Sequence, residues 1–192
     1  MIKIGILIFP QVEEMDFVAP FEVLSYINKI RPNSTQVFLI AEQLEVVQAF
    51  NGMKIVPDHE ITDCPSLDIL VIPGGKGRFD AMHNVKIKEF ILRQSKQAHY
   101  IASVCTGALI LAETGLLQGK RATTYHAAFE ELRAYQAIVE QTKVVHDGNI
   151  ITAAGVTSGL ELGFYLLKLL FGSIVAKQVA EKIEYTIDID AL

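Results

Sequence analysis

Short, mostly apolar segments alternate along this chain with segments of helical periodicity. We predict core strands at Ile2–Phe9, Thr35–Ala41, Leu67–Pro73 and Tyr100–Val104. We predict helices at Pro20–Lys29, Val85–Gln97, Thr106–Thr114, Ala127–Tyr135, Thr157–Phe171 and Ile174–Ile183. Strands that are apolar on both faces are typical of parallel sheets covered by helices. The alternation therefore predicts an α/β fold, a doubly wound and mainly parallel sheet with helices on both faces.

Smaller β elements are expected beside these core strands. We predict two hairpins, Val46–Phe50 with Met53–Val56, and Val144–His146 with Ile150–Ala153. The first turns at Gly52 and the second at Asp147-Gly148, a dipeptide that favours tight hairpin turns. A short strand is expected at Ala122–Thr124, and Gly172 is expected to separate the last two helices.

Composition limits the classes of protein to consider. The chain has 192 residues, 51% of them hydrophobic, which is enough for one substantial core and predicts a single domain over residues 1–192. The net charge is −5 and the Lys and Arg residues are scattered, so we expect no nucleic-acid partner. No apolar run is long enough to span a bilayer, and Met1–Pro10 lacks the features of a secretory signal, so no membrane partner is expected. Two cysteines make a poor disulfide framework, which favours the reducing cytoplasm.

The segment Ile101–Ala112 predicts a strand that turns at Cys105 directly into a helix. A turn that sharp strains the residue at its apex and exposes its side chain. A cysteine at a helix N-terminus is expected to have its thiolate form favoured by the helix dipole. Cys105 is therefore the candidate nucleophile, and the alternative is a buried structural cysteine. Cys64 is interpreted as structural or incidental.

Several functional groups follow the predicted strands at their carboxyl ends, where doubly wound sheets bind ligands. Asp16 follows the first strand and is a candidate acid–base or water-positioning group, or else a helix-capping acid. Glu13, Glu14 and Glu22 compete for the same role; of these, Glu22 lies on the following helix and is expected to be able to point back toward Cys105.

Gly74 and Gly75 end the third strand. Their bare N–H groups are candidate donors to developing negative charge, together with the N–H of Thr106. The alternative is a tight turn that requires glycine. The Thr106 hydroxyl is a candidate hydrogen-bond donor to Cys105 or to the candidate carboxylate. The alternative is that Thr106 is an ordinary residue at the start of a helix.

His126 is the one histidine that we consider a possible catalytic base, because it stands at another predicted strand end. The other four histidines are expected at the surface. No His/Cys spacing matches a zinc site, and Gly74-Gly75-Lys76-Gly77 lacks the spacing of a phosphate-binding loop. We therefore expect no metal and no cofactor.

Together these segments resemble the ThiJ/PfpI superfamily, whose flavodoxin-like fold is shared with the class I glutamine amidotransferases. The segments that carry the resemblance are Ile4–Pro10, Met15–Pro20, Ile72–Gly75, Ser103–Ala108, Gly115–Thr124 and Asp147–Gly155. They extend over nearly the whole chain. Within the superfamily the pattern is most similar to the isonitrile hydratases and to the amidase-like sensor domains of AraC-type regulators. The latter carry a C-terminal DNA-binding helical domain, which we do not expect in this protein.

In the hydratase pattern, the elbow cysteine is paired with an acid after the first strand and with a following threonine, positions held here by Cys105, Asp16 and Thr106. The histidine that follows the cysteine in peptidase-like members is replaced by Thr106. Ala19 stands where hydratases usually have glycine, and Tyr125-His126 where they usually have His-Trp.

The resemblance implies a cysteine-dependent enzyme that adds water to a small-molecule isonitrile and gives an N-substituted formamide. It also implies a homodimer. Two alternatives remain open: a glyoxalase or deglycase acting on reactive carbonyls, in which His126 supplies the histidine, and a non-enzymatic redox or ligand sensor that uses Cys105.

Overall fold

The computed structural model describes residues 1–192 and has eleven strands and seven α-helices. The strands are β1 (Ile2–Leu7), β2 (Thr35–Ala41), β3 (Val47–Gln48), β4 (Lys54–Ile55), β5 (His59–Glu60), β6 (Ile69–Ile72), β7 (Tyr100–Val104), β8 (Arg121–Ala122), β9 (Ile138–Val139), β10 (Val144–Asp147) and β11 (Ile150–Ala153). The helices are α1 (Glu14–Tyr26), α2 (Arg78–His83), α3 (Val85–Ser95), α4 (Gly107–Glu113), α5 (Phe129–Ala134), α6 (Ser158–Phe171) and α7 (Ser173–Lys182). Turns of 3₁₀-helix occur at Ile27–Lys29 and His126–Ala128.

The main sheet has seven strands in the order β10-β11-β7-β6-β1-β2-β5, and every neighbouring pair except β10–β11 is parallel. Helices α1, α6 and α7 pack together, and α2 to α5 pack together, so that they form the two outer layers. A single apolar cluster of 53 buried residues fills the space between these layers and the sheet. The predicted α/β fold, with a doubly wound and mainly parallel sheet, is confirmed.

Both predicted hairpins are present, as β3–β4 and β10–β11, and Gly172 separates α6 from α7 with a φ of +87°. The helix α2 was not anticipated, because six residues are too few to show helical periodicity. None of the seven helices has both the length and the apolar character that crossing a bilayer requires.

The first helix begins at Glu14, so the prediction that it starts at Pro20 is wrong. Pro20 lies inside α1, where its missing N–H removes one backbone hydrogen bond. Its ring packs against Gly159 of α6, where an added Cβ would lie only 3.2 Å from the Pro20 Cδ. This earlier start places Asp16 in the first turn of the helix rather than ahead of it.

Candidate active site

The candidate site lies at the topological switch point of the sheet. From β1 the chain crosses to β2 on one side, whereas β6 and β7 lie on the other side. Crevices at such points, outside the carboxyl ends of the strands, are where doubly wound folds bind ligands. Asp16 follows β1, Gly74 and Gly75 follow β6, and Cys105 follows β7. The parallel register therefore brings all three segments to one edge of the sheet.

Cys105 sits at the apex of a strained elbow with a φ of +55°. Its N–H faces the carbonyls of Ala153 (3.1 Å) and Ala154 (2.9 Å), and its own carbonyl accepts a 2.7 Å hydrogen bond from the Thr124 hydroxyl. Left-handed backbone at a non-glycine residue costs roughly 1–3 kcal/mol and persists only where the surroundings enforce it. Here the hydrogen bonds from Cys105 to the end of β11 and from Thr124 to Cys105 hold the backbone in this conformation.

Asp16 has no exposed surface, yet it carries an ionisable carboxyl. Its Oδ2 accepts a 2.9 Å hydrogen bond from the Gly74 N–H, and its Oδ1 has no hydrogen-bond partner. Burial raises the pKa of Asp16 to about 7, with a further increase from the charge of Glu13. Hydrogen bonding by the Gly74 N–H and by the Cys105 side chain lowers the pKa of Asp16, but by less than burial raises it. The position of Asp16 at a helix N-terminus does not offset this, because a dipole supplies only about 0.3–1 kcal/mol.

The Cys105 thiol lies beside this carboxyl and is only 6% exposed. Burial, and then the negative charge of Asp16, raise the pKa of the thiol to about 11. The N–H groups of Val156 and Thr106 face the sulfur and act in the opposite direction, but more weakly. The expectation that the helix N-terminus favours the thiolate is therefore wrong: burial and Asp16 outweigh the dipole. A thiol whose pKa is raised is a nucleophile only where a neighbouring base can take its proton.

Gly74 and Gly75 differ from the expectation that their N–H groups are free donors. The Gly74 N–H donates to Asp16, and the Gly75 N–H donates to Thr106 Oγ1 at 3.1 Å. Both donors are thus committed to the two side chains that flank Cys105. The glycine turn positions these side chains, and the N–H groups that face the sulfur come from Thr106 and Val156.

Val156 is a site residue that sequence reasoning missed. Its φ is +34°, which is unusual for a β-branched residue, and its N–H faces the Cys105 sulfur. Nothing in the sequence indicates left-handed backbone at a valine. The preceding Gly155 packs against the Tyr125 ring, at a place where an added Cβ would lie 2.7 Å from Cδ2.

The side chains of the remaining candidates, His126, Glu22 and Glu14, form no hydrogen bond with Cys105 or Asp16. The His126 side chain is exposed and forms no hydrogen bond, and it borders a shallow depression of about 310 Å³ together with Thr124 and Gly155. Glu22 is exposed on α1, six residues after Asp16, so the structure does not bring it to the site. Glu14 binds the backbone N–H and the side-chain amide of Asn51. No group of three or more His, Cys, Asp or Glu side chains is arranged to hold a metal ion.

The chain belongs to the DJ-1/PfpI family, whose pattern matches residues 2–169. It is 39% identical over 184 residues to an isonitrile hydratase of Pseudomonas putida, covering 96% of this chain and 78% of that protein. Among solved structures, a ThiJ/PfpI family protein from Pseudomonas syringae superposes with a TM-score of 0.90 at 32% identity, covering 97% of this chain and 76% of that one. Drosophila melanogaster DJ-1beta shares the fold, with a TM-score of 0.85 at 23% identity over 97% and 99% of the two chains.

Replacing Thr106 by valine is expected to lower kcat/KM by about a hundredfold, the scale of effect of a misplacement of about 1 Å at a reacting group. Valine keeps the shape but removes the acceptor of the Gly75 N–H. Thr106→Ser keeps the hydroxyl and should retain most activity. Steady-state kinetics of both variants check this, and equal loss in the serine variant would contradict it.

Proposed function

We propose that this protein is a cysteine-dependent isonitrile hydratase-like enzyme that converts R–N≡C and water into the formamide R–NH–CHO. The observation that carries the proposal is the buried Asp16 carboxyl, with an unpartnered Oδ1, beside the Cys105 thiol. The similarity to the Pseudomonas putida isonitrile hydratase extends over almost the whole chain and supplies the reaction.

In the first step the sulfur of Cys105 bonds to the terminal carbon of the isonitrile while the thiol proton moves to Asp16. A thiol with a pKa of about 11 requires such a base, and a carboxyl with a pKa of about 7 is about half ionised at neutral pH and more basic than an ordinary carboxylate. Asp16 then gives this proton to the same carbon. The product is a thioimidate, R–N=CH–S–Cys105.

In the second step water adds to the thioimidate carbon, releasing one proton to Asp16, and Asp16 protonates the nitrogen. Thr106, held by the Gly75 N–H, is placed to orient this water. The C–S bond then breaks, its electron pair returns to the sulfur, and the hydroxyl proton restores the thiol. The N–H groups of Thr106 and Val156 stabilise negative charge on the departing sulfur.

The pH profile should report the protonation of this pair. The reactive form carries one proton, with Asp16 ionised and Cys105 as the thiol. We therefore expect kcat/KM to fall as the pH drops below about 7, where Asp16 becomes protonated, and to stay level on the alkaline side until the pKa of the thiol, about 11, is approached. A profile that is flat between about pH 5.5 and about 8.5 would contradict this assignment.

The test of the function is turnover of an aryl isonitrile by the purified protein, followed by the absorbance of the formamide. Cys105→Ala should lower turnover by at least about a thousandfold. Cys64→Ala is the matched control, because Cys64 is the other free cysteine and its sulfur interacts with Pro65 and Gln94, not with residues of the candidate site. Turnover that survives in Cys105→Ala would sink the mechanism. Alkylation of Cys105 in a separate sample shows that the thiol is reduced and reactive. Absence of turnover by protein that passes this check would sink the hydratase assignment.

The alternative functions receive less support from the geometry. A glyoxalase or deglycase would need His126, whose side chain is exposed and makes no hydrogen bond. A redox sensor would need an accessible thiol of lowered pKa, whereas Cys105 is buried and its pKa is raised. Lactate formation from methylglyoxal separates the carbonyl chemistry from isonitrile hydration.

A homodimer and a cytoplasmic location stay predictions. Exposed apolar side chains around the β3–β4 hairpin support a self-association surface, among them Val46, Phe50, Met53 and Val56. Light scattering on the purified protein measures its oligomeric state.

A further inference from the structure

A second cavity, separate from the cysteine site, lies where the carboxyl ends of β1 and β2 meet helices α2 and α3. Its volume is about 280 Å³, just below the range of about 300–1,000 Å³ typical of small-molecule pockets. Asp16, Gly74, Cys105 and Thr106 do not line it. The proposed reaction therefore leaves this cavity without a role.

The floor of the cavity is apolar. It is formed by buried side chains from both strands, the β3–β4 hairpin and the two helices, namely Ile8, Phe9, Ala41, Val47, Ala81 and Ile87. An apolar floor favours an aryl or short alkyl group, because transfer of such a group from water is favourable by about 25 cal/mol for each Å² buried.

The rim of the cavity is acidic and contains no Lys, Arg or His. Glu42 is already neutralised, since it accepts hydrogen bonds from Asn84 (2.6 Å) and from Lys86 (2.9 Å). Glu45 and Asp80 are exposed and make no ion pair. Two carboxylates without a cationic partner therefore lie above the apolar floor. Glu45 precedes the β3–β4 hairpin, and Asp80 lies in α2.

We propose that this cavity binds a small amphipathic amine, with its aryl or alkyl group on the apolar floor and its ammonium between Glu45 and Asp80. A neutral ligand would form no ion pair with the carboxylates of the rim, and a ligand with a carboxylate would be repelled by them. The amine site is independent of the isonitrile hydratase proposal, because it involves none of the residues of that mechanism.

The experiment is calorimetric titration of the full-length protein with phenethylammonium chloride, 2-phenylethanol and 3-phenylpropionate. We expect the ammonium to bind about tenfold tighter than the alcohol, with an affinity that falls as salt is added, and the carboxylate not to bind. The double variant Glu45→Gln/Asp80→Asn should lose this preference. The matched control Glu89→Gln/Glu181→Gln removes two exposed carboxylates that do not line the cavity and should keep it.

Ala81→Leu places extra volume on the floor and should abolish binding, with the thermal melting of the variant as the check of its fold. Equal affinity for the ammonium and the alcohol would overturn the proposal, as would absence of ammonium binding at millimolar concentration. Binding that survives in the Glu45→Gln/Asp80→Asn variant would place the ligand elsewhere and overturn it too. The surface variants decide the question even if Ala81→Leu fails to fold.

Discussion

Asp16→Asn is expected to make the protein more stable at alkaline pH, by up to about 4 kcal/mol, while removing its activity. The folded state raises the pKa of Asp16 from 3.8 to about 7, a change of about three units, and each unit is worth about 1.4 kcal/mol. Asparagine has nearly the same shape, keeps an oxygen for the Gly74 N–H, and has no charge to bury.

The sign of the effect follows from proton binding. Between about pH 4 and about pH 7 the folded protein holds a proton on Asp16 that the unfolded chain has released. The free energy of unfolding of the wild type therefore falls as the pH rises through this window, and the loss is complete above about 7. The stability difference between Asp16→Asn and the wild type should be small near pH 4 and largest near pH 8.

Denaturant unfolding of both proteins at about pH 4, 6 and 8 measures this difference. Asp16→Ala is the control, because it removes the charge but also leaves the Gly74 N–H unpaired and a cavity behind, so it should be less stable than the asparagine variant at every pH. A stability difference between Asp16→Asn and wild type that does not change with pH would contradict the raised pKa.

The loss of activity in Asp16→Asn should be at least about a hundredfold, because general-base catalysis is typically worth about 10²–10⁴ and the amide accepts no proton from the thiol. Gain of stability with loss of turnover is the signature of a residue kept for chemistry at the expense of folding. A purely structural Asp16 would show the opposite pattern.

The sequence was sufficient to predict the sheet, the elbow and the segments that meet at it. Apolar strands of a parallel sheet and a strand that turns directly into a helix depend on local residue patterns, so Cys105 and its positive φ could be anticipated. The groups that meet at the strand ends followed from parallel register, which places Asp16 and the Gly74-Gly75 turn at one edge.

The electrostatics of the site could not be predicted in the same way. The pKa of Cys105 depends on how deeply the thiol and Asp16 are buried together, and burial is a property of all the packed elements. The partners of the Gly74 and Gly75 N–H groups depend on side-chain placement to within an ångström. Val156 has a left-handed backbone because of its surroundings, since valine itself disfavours that conformation.

Gly75→Ala is expected to destabilise the protein by about 3 kcal/mol or more and to lower activity by at least about a hundredfold. Two separate costs contribute. The φ of Gly75 is +123°, where an L side chain is strained, and an added Cβ would lie 2.4 Å from the Glu13 nitrogen and 2.6 Å from the Gln11 oxygen. Both of these are backbone atoms, so no side-chain rotation relieves the contact.

Two other glycines separate these costs. Gly52 also has a positive φ, +100°, but an added Cβ meets nothing within 4 Å, so Gly52→Ala reports strain alone, about 1–2 kcal/mol. Gly107 has no positive φ, but its Cβ would lie 2.0 Å from the Ile72 oxygen, so Gly107→Ala reports the contact alone. In equilibrium unfolding of the three variants, Gly75→Ala should lose more free energy of unfolding than Gly52→Ala, and the difference should equal the cost of the contact.

The effect of Gly75→Ala on activity follows from what the close contact holds together. The Gly74 carbonyl accepts a 3.0 Å hydrogen bond from the Glu13 N–H, three residues before Asp16, and the Gly75 N–H holds Thr106. A Cβ at Gly75 pushes these two loops apart and moves both side chains away from Cys105. If Gly75→Ala were no more damaging to stability than Gly52→Ala, the glycine turn would not be what brings Asp16 and Thr106 to the sulfur.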